Sequence, residues 1–142
     1  MRFFETFQEL VNSLPLTNDA GTAPRIVIAS LQVPEIAAGD VVDLDAFLHV
    51  TNDLPYTMGV APYLVRAASP TATEQVKVVK PAGENITRDT HHKRYVIRGI
   101  DGRPPAGTWY YNLVAYAYST AAKAGARVTV ENKVWLAAKV LR

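Results

Sequence analysis

The residues of this chain whose types could do chemistry are a run of carboxylates and three histidines. Asp40, Asp43 and Asp45, with Asp53 further on, carry the oxygen donors that a calcium ion takes. A helix-loop-helix calcium loop needs Gly at its sixth position and Glu at its twelfth, and "DVVDLDAFLHVT" has neither. His49 lies two residues from Phe47, and "THHKRY" supplies His91 and His92. Neighbouring residues on a strand point to opposite faces, so His91 and His92 cannot share a metal unless the chain bulges. A site built from His49, one of that pair and Asp43 or Asp45 is chemically feasible. Nothing in the spacing demands it, and polar residues at a strand entrance or subunit contact account for the pattern, so no metal and no cofactor are expected.

Covalent chemistry has less to work with. The serines stand at 13, 30, 69 and 119, none in a GxSxG elbow. "PAGEN" and "DGRPPAG" match neither the phosphate-loop nor the dinucleotide pattern. The absence of cysteine removes disulfides, thiolate nucleophiles and sulfur-ligated zinc together. These features predict a protein that is not an enzyme.

Positive charge gathers in Arg88, His91, His92, Lys93, Arg94, Arg98 and Arg103, near Tyr95, Tyr110 and Tyr111. Cations beside flat rings suit phosphates and bases, yet the RNA-binding aromatic signatures are missing and the net charge is only +2. His91, His92, Lys93 and Arg94 therefore read as a polar patch for solvent or an anionic partner, with nucleic acid disfavoured. "NIT" at Asn85 reads as turn chemistry rather than a used glycosylation sequon. Glu5 and Glu9 interrupt the apolar core that an export signal would need in "MRFFETFQEL", which predicts a chain that stays where it is made, in the cytoplasm. No apolar run is long enough to span a bilayer, and no membrane partner is expected.

The elements that must position these residues fall into two groups. At residues 3–14, Phe3, Phe7, Leu10 and Leu14 recur at helical spacing, with Phe4 and Val11 flanking the stripe. This predicts a short amphipathic helix ended by Pro15, and residues 1–24 then form a helical arm and linker. Such a short helix is marginal in water and must dock, on its own domain or on a neighbouring subunit, with a membrane surface disfavoured because the polar face lacks a Lys/Arg excess. Residues 25–142 read as about seven strands separated by turns without crossover helices, which predicts an all-β domain, an antiparallel β-sandwich or jelly roll. "VVDLDAFLHV" alternates cleanly, with Val42, Leu44, Ala46, Leu48 and Val50 on one face. Pro62 suggests an edge or a bulge in its strand.

The strand "AGTWYYNLVAYAYSTAA" is the exception to clean alternation. Trp109, Tyr111, Leu113, Ala115 and Ala117 share one face, and Tyr110, Asn112, Val114, Tyr116 and Tyr118 the other, so both faces need a cover. Tyrosines suit protein interfaces and also stack on sugars. The expected cover is a sister subunit, contacted by Tyr110, Tyr116, Tyr118 and Trp135; the alternative is a carbohydrate- or receptor-binding module.

The short arm "MRFFETFQELVNSLP", a single β domain with "PPAGTWYYNLVAYAYS", and a β-rich C-terminus together resemble the small jelly-roll accessory proteins of tailed-phage particles, decoration and minor tail proteins. That resemblance implies a non-enzymatic virion assembly protein, a homo-oligomer with a trimer favoured, bound to a capsid or tail protein. It implies an arm that docks on the shell through Phe3, Phe4, Phe7 and Leu10.

Overall fold

A computed structural model describes residues 1–81, 84–86, 92–131 and 133–142, with only the backbone of Glu84 and Asn85. Every helix or strand among them is a strand. In chain order these are β1 (Arg2–Thr6), β2 (Ser13–Thr17), β3 (Ile26–Ile36), β4 (Val41–Thr51), β5 (Met58–Ala67) and β6 (Val76–Val79). Then follow β7 (Glu84–Ile86), β8 (His92–Gly102), β9 (Gly107–Tyr118), β10 (Arg127–Val130) and β11 (Trp135–Leu141).

Two ladders form. In the first, β4 pairs along its whole length with β8, from Val41↔Gly102 to Thr51↔His92. Its other side takes β11, from Trp135↔Phe47 to Leu141↔Val41, and then β10 at Val130↔Val50. β1 adds to the far side of β11. In the second ladder β9 lies between β3 and β5. β5 takes β7 at Met58–Val60 and β6 at Leu64–Arg66, so Pro62 falls between the two pairings and β5 is not an edge. β2 joins the ladders, antiparallel to β10 and parallel to β9 at Leu16↔Ala117 and Thr17↔Tyr118. The pairing is thus mixed, antiparallel everywhere except at this bridge, where an antiparallel sheet was expected.

The N-terminal helix predicted from the 3–4 spacing does not form; β1 and β2 occupy that segment. A helix of three turns gains little by itself, whereas the edge of β11 offers a row of backbone partners from Arg2↔Val140 to Thr6↔Leu136. Alternation then divides the rings that a helix would have kept on one stripe. Phe4 packs against the core while Phe3 and Phe7 face solvent. The segment is further held by Arg2, which donates to the carbonyls of Pro34 and Glu35 at 2.7 and 2.8 Å, and by Leu10 N, which donates to Ile28 O at 2.7 Å.

One hydrophobic core joins the ladders. Val42, Leu44, Ala46, Leu48 and Val50 of β4 are fully buried in it, with Tyr95 and Ile97 of β8 and Leu136, Ala138 and Val140 of β11. From the second ladder come Ile28 and Val33 of β3, Met58 and Leu64 of β5, and Tyr111, Leu113, Ala115 and Ala117 of β9. β6 meets β8 closely: a Cβ on Gly99 would overlap the Val79 side chain, so only glycine fits there.

At one end of the core, a polar cluster ties the ladders together. Arg66 of β5 donates through one nitrogen to both carboxylate oxygens of Asp101 on β8 at 2.7 Å, and the Tyr111 hydroxyl donates to the same carboxylate at 2.8 Å. All three residues are buried. Burial pushes the Tyr111 hydroxyl far above its usual range, and the hydrogen bond to Asp101 adds to the effect. Removing one partner of a buried pair strands the other, so Asp101→Ala is expected to cost about 3–5 kcal/mol of unfolding free energy. Replacing both, as Arg66→Met with Asp101→Leu, should cost far less in the same denaturant titration, since no charge is orphaned.

Candidate functional site

The second face of β9 is covered by its own chain. The connection from β5 to β6, residues 68–75, folds back over it and is pinned by three hydrogen bonds from two side chains. Asn112 Nδ2 donates to the carbonyls of Ser69 and Ala72 at 3.0 and 2.9 Å, and the Tyr63 hydroxyl donates to Thr73 O at 3.0 Å. Asn112 Oδ1 in turn accepts from Ser30 Oγ at 2.6 Å. Beneath this cover Tyr63, Val65 and Val114 form a second small core, with Val27 and Tyr116 against it. The Arg25 guanidinium stacks 3.7 Å from the centre of the Tyr116 ring. Tyr118 lies over Gly59, where any Cβ would overlap its ring. The chain thus covers the Asn112–Val114 part of this face itself, while Tyr110, Tyr116 and Tyr118, the residues expected at a sister subunit, stay half-buried.

Unsatisfied apolar surface lies instead on the outer face of the first ladder. Alternation that buries one side of β4 turns Asp43, Asp45, Phe47 and His49 outward. The register places Trp135 beside Phe47, Ala137 beside Asp45 and Lys139 beside Asp43 on one flank. On the other flank it places Arg94, Val96, Arg98 and Ile100 of β8. β1 contributes Phe3 and Glu5. Phe47 and Trp135 pack with ring centres 5.6 Å apart, and Trp135 Nε1 donates to Glu5 Oε2 at 3.0 Å. Around this pair Phe3 is 52%, Phe7 66%, Val96 58% and Ile100 65% exposed. Isolated exposed apolar residues need no explanation, but four around one aromatic pair form a patch.

Two cavities open on this face. One, of about 300 Å³, is lined by Phe3, Trp135, Asp43, Asp45, Arg98 and Lys139, its charges balanced by an Arg98–Asp45 pair at 3.2 Å. The other, of about 360 Å³, is lined by Phe7, Phe47, His49, Arg94, Lys133 and Val134.

The residues singled out from the sequence divide accordingly. Trp135, Phe3, Phe7, His92 and Arg94, assigned to three separate roles, meet on this one ladder; Phe4 turns to the core and Leu10 is exposed beyond β1. Lys93 is half-buried with its ammonium 5.7 Å from the centre of the Tyr95 ring. His91 and Arg88, with the Asn85 side chain and Thr87 of its sequon, lie outside the described residues. His49 and His92 do come together, ring centres 5.1 Å apart and edge to face, because Thr51↔His92 sets them diagonally across β4 and β8. Among the described residues no group of three or more such ligands could hold a metal ion. Val96 and Ile100 were legible but unclaimed: "HKRYVIRGI" alternates, placing them with Arg94 and Arg98 opposite Tyr95 and Ile97. Among the described residues no helix is long and apolar enough to cross a membrane.

The built cover over β9 has a titratable pin. Burial, with the Glu74 carboxylate adding to it, pushes the Tyr63 hydroxyl from 10.0 up to about 12. A raised folded-state value means the neutral form is favoured on folding, so this contribution is whole below about pH 10 and is lost as pH rises towards 12. Urea unfolding near pH 9 and pH 11 is expected to show a steeper alkaline loss in the native chain than in Tyr63→Phe. Equal losses would remove Tyr63 from that role. No protein-family model matches the chain, and no curated protein sequence matches it.

Proposed function

We propose that this chain is a non-enzymatic assembly protein that works by adhesion, burying the outer face of its first ladder against other protein chains. The observation that carries the reading is the exposed patch of Phe3, Phe7, Val96 and Ile100 around the Phe47–Trp135 pair. A standard interface needs about 800 Å² per partner, and aromatic side chains at about 150–250 Å² each supply a large part of that. The mixed charges between the rings fit a protein partner, whose rim pairs with them.

The fine architecture belongs to the same reading. The two ladders, sharing one core, act as the layers of a β-sandwich, and the layout keeps its resemblance to virion accessory proteins of the jelly-roll kind. On that reading the chain is a homo-oligomer, with a trimer favoured, seated on a capsid or tail lattice. β8, which among the described residues pairs only with β4, brings Val96 and Ile100 to the contact between sister copies. The sugar-binding alternative loses support from Tyr116, whose ring already stacks with Arg25.

The native chain is expected to sediment as an oligomer at micromolar concentration, and Val96→Asp with Ile100→Asp as a folded monomer. A native monomer would overturn the self-association, and a variant that stays oligomeric would move the contact off β8.

A further inference from the structure

The two cavities of the outer face differ in charge. Six side chains line the one at Phe7; Arg94, Lys133 and His49 are basic, Phe7, Phe47 and Val134 are apolar, and none is acidic. The Arg94 guanidinium sits 4.8 Å from the centre of the Phe47 ring. Among the described residues neither Arg94 nor Lys133 has a carboxylate within ion-pair distance. Among the described residues His49 Nε2 is buried without a hydrogen-bond partner. Three carboxylates of the same face are otherwise engaged. Glu5 accepts from Trp135, Asp45 pairs with Arg98, and Glu131, which borders the adjoining cleft with His92 and Thr51, accepts from Thr51 Oγ1. Asp43 and Asp45 lie toward the other end of β4, matched there by Arg98 and Lys139, so that cavity is balanced while the one at Phe7 is basic.

We propose that the cavity at Phe7 seats an acidic, apolar segment of a partner protein, a carboxylate resting on Arg94 and Lys133 while its neighbouring ring or aliphatic side chain enters between Phe7 and Phe47. The proposal rests on the adhesive reading above and names the chemistry of the partner. Arg94 and Lys133 are both exposed, so each can meet a carboxylate laid across the cavity mouth, and an apolar segment that covers Phe7 and Phe47 lowers the polarity around those charge-assisted bonds once it is seated. A guanidinium stacked on a ring keeps its edge free for a bidentate carboxylate. The balanced charges at the other end of the strand, Asp43 and Asp45 among Arg98 and Lys139, give a run of phosphates no net attraction beyond this one cavity.

Fluorescence anisotropy of the full chain tests this with a short labelled peptide alternating Glu with Phe and Leu, its Gln counterpart, and a single-stranded oligonucleotide. The Glu peptide is expected to bind at least about tenfold more tightly than the Gln peptide, and more tightly than the oligonucleotide. Arg94→Gln with Lys133→Gln should weaken the Glu peptide about tenfold or more, and Phe7→Ser should also weaken it. Arg103→Gln, beyond the far end of β8, should leave it unchanged. Thermal melting checks the fold of each variant, and Lys133→Gln alone replaces the double variant if that one melts early. Equal binding of both peptides, lost in Phe7→Ser, would overturn the acidic partner and leave the adhesive face standing. Tighter binding of the oligonucleotide, indifference to the double substitution, or no binding of either peptide would overturn the proposal, while the sedimentation result above judges the adhesive reading separately.

Discussion

The register of β4 is the constraint on which the rest of the molecule depends. Its residues alternate between fully buried and half-exposed from Val41 to Thr51, and it is paired on both sides along most of that length. A slip of one residue would expose Val42, Leu44, Leu48 and Val50 and drive Asp43, Asp45 and His49 into an apolar core. Burial of five side chains thus decides which residues stand outside. Because β8 and β11 are hydrogen-bonded to β4, their outward residues are fixed as well. The docking face is therefore a by-product of core packing in position, though its composition is independent of it.

The second ladder is organised differently, because β9 is dry on both sides. One face closes the main core and the other needs a lid that a third sheet does not provide. The chain meets this with a loop instead of a layer, and a loop brings unpaired carbonyls that must be satisfied. Asn112 and Tyr63 answer that need, each presenting a polar tip from an otherwise apolar strand face. The same logic explains Arg66, Asp101 and Tyr111 at the end of the core. Where the ladders meet beyond the reach of aliphatic side chains, a charge pair with a phenol spans them. Breaking either device leaves buried polar groups unpaired, which is why both act as latches.

Strands were legible wherever one side was wet. The β4 face follows from alternation alone, and Val42, Leu44, Ala46, Leu48 and Val50, named for it, are buried. The N-terminal segment was not, since Phe3, Phe7 and Leu10 satisfy a helical period and only the open edge of β11 makes the extended form better. Propensity cannot see a partner strand that lies at the other end of the chain. The cover over β9 failed for a related reason. "SPTATE" has turn composition, and nothing local says that its carbonyls will face Asn112 some forty residues later, Ser69 and Asn112 being 43 apart. The Phe47–Trp135 pair and the basic cavity likewise depend on register across β4, β8 and β11, whose members are scattered through the sequence.

What makes the outer face informative is its cost. Phe3 and Phe7 flank an edge strand, where exposed rings invite unwanted association, and the usual protection is charge placed among them. Charges are present, and they differ along the strand: Asp43 and Asp45 are matched by Arg98 and Lys139 toward one end of β4, whereas Arg94 and Lys133 line a cavity without a carboxylate toward the other. Charges serving only solubility gain nothing from such a difference, because solvation does not depend on order along the strand. A basic cavity at one end and a balanced one at the other distinguish one orientation of an acidic partner from its reverse, since reversing it takes the partner's carboxylates off Arg94 and Lys133. The apolar patch supplies attraction without direction, and the basic cavity supplies direction, so together they select a partner that is both apolar and acidic at one end.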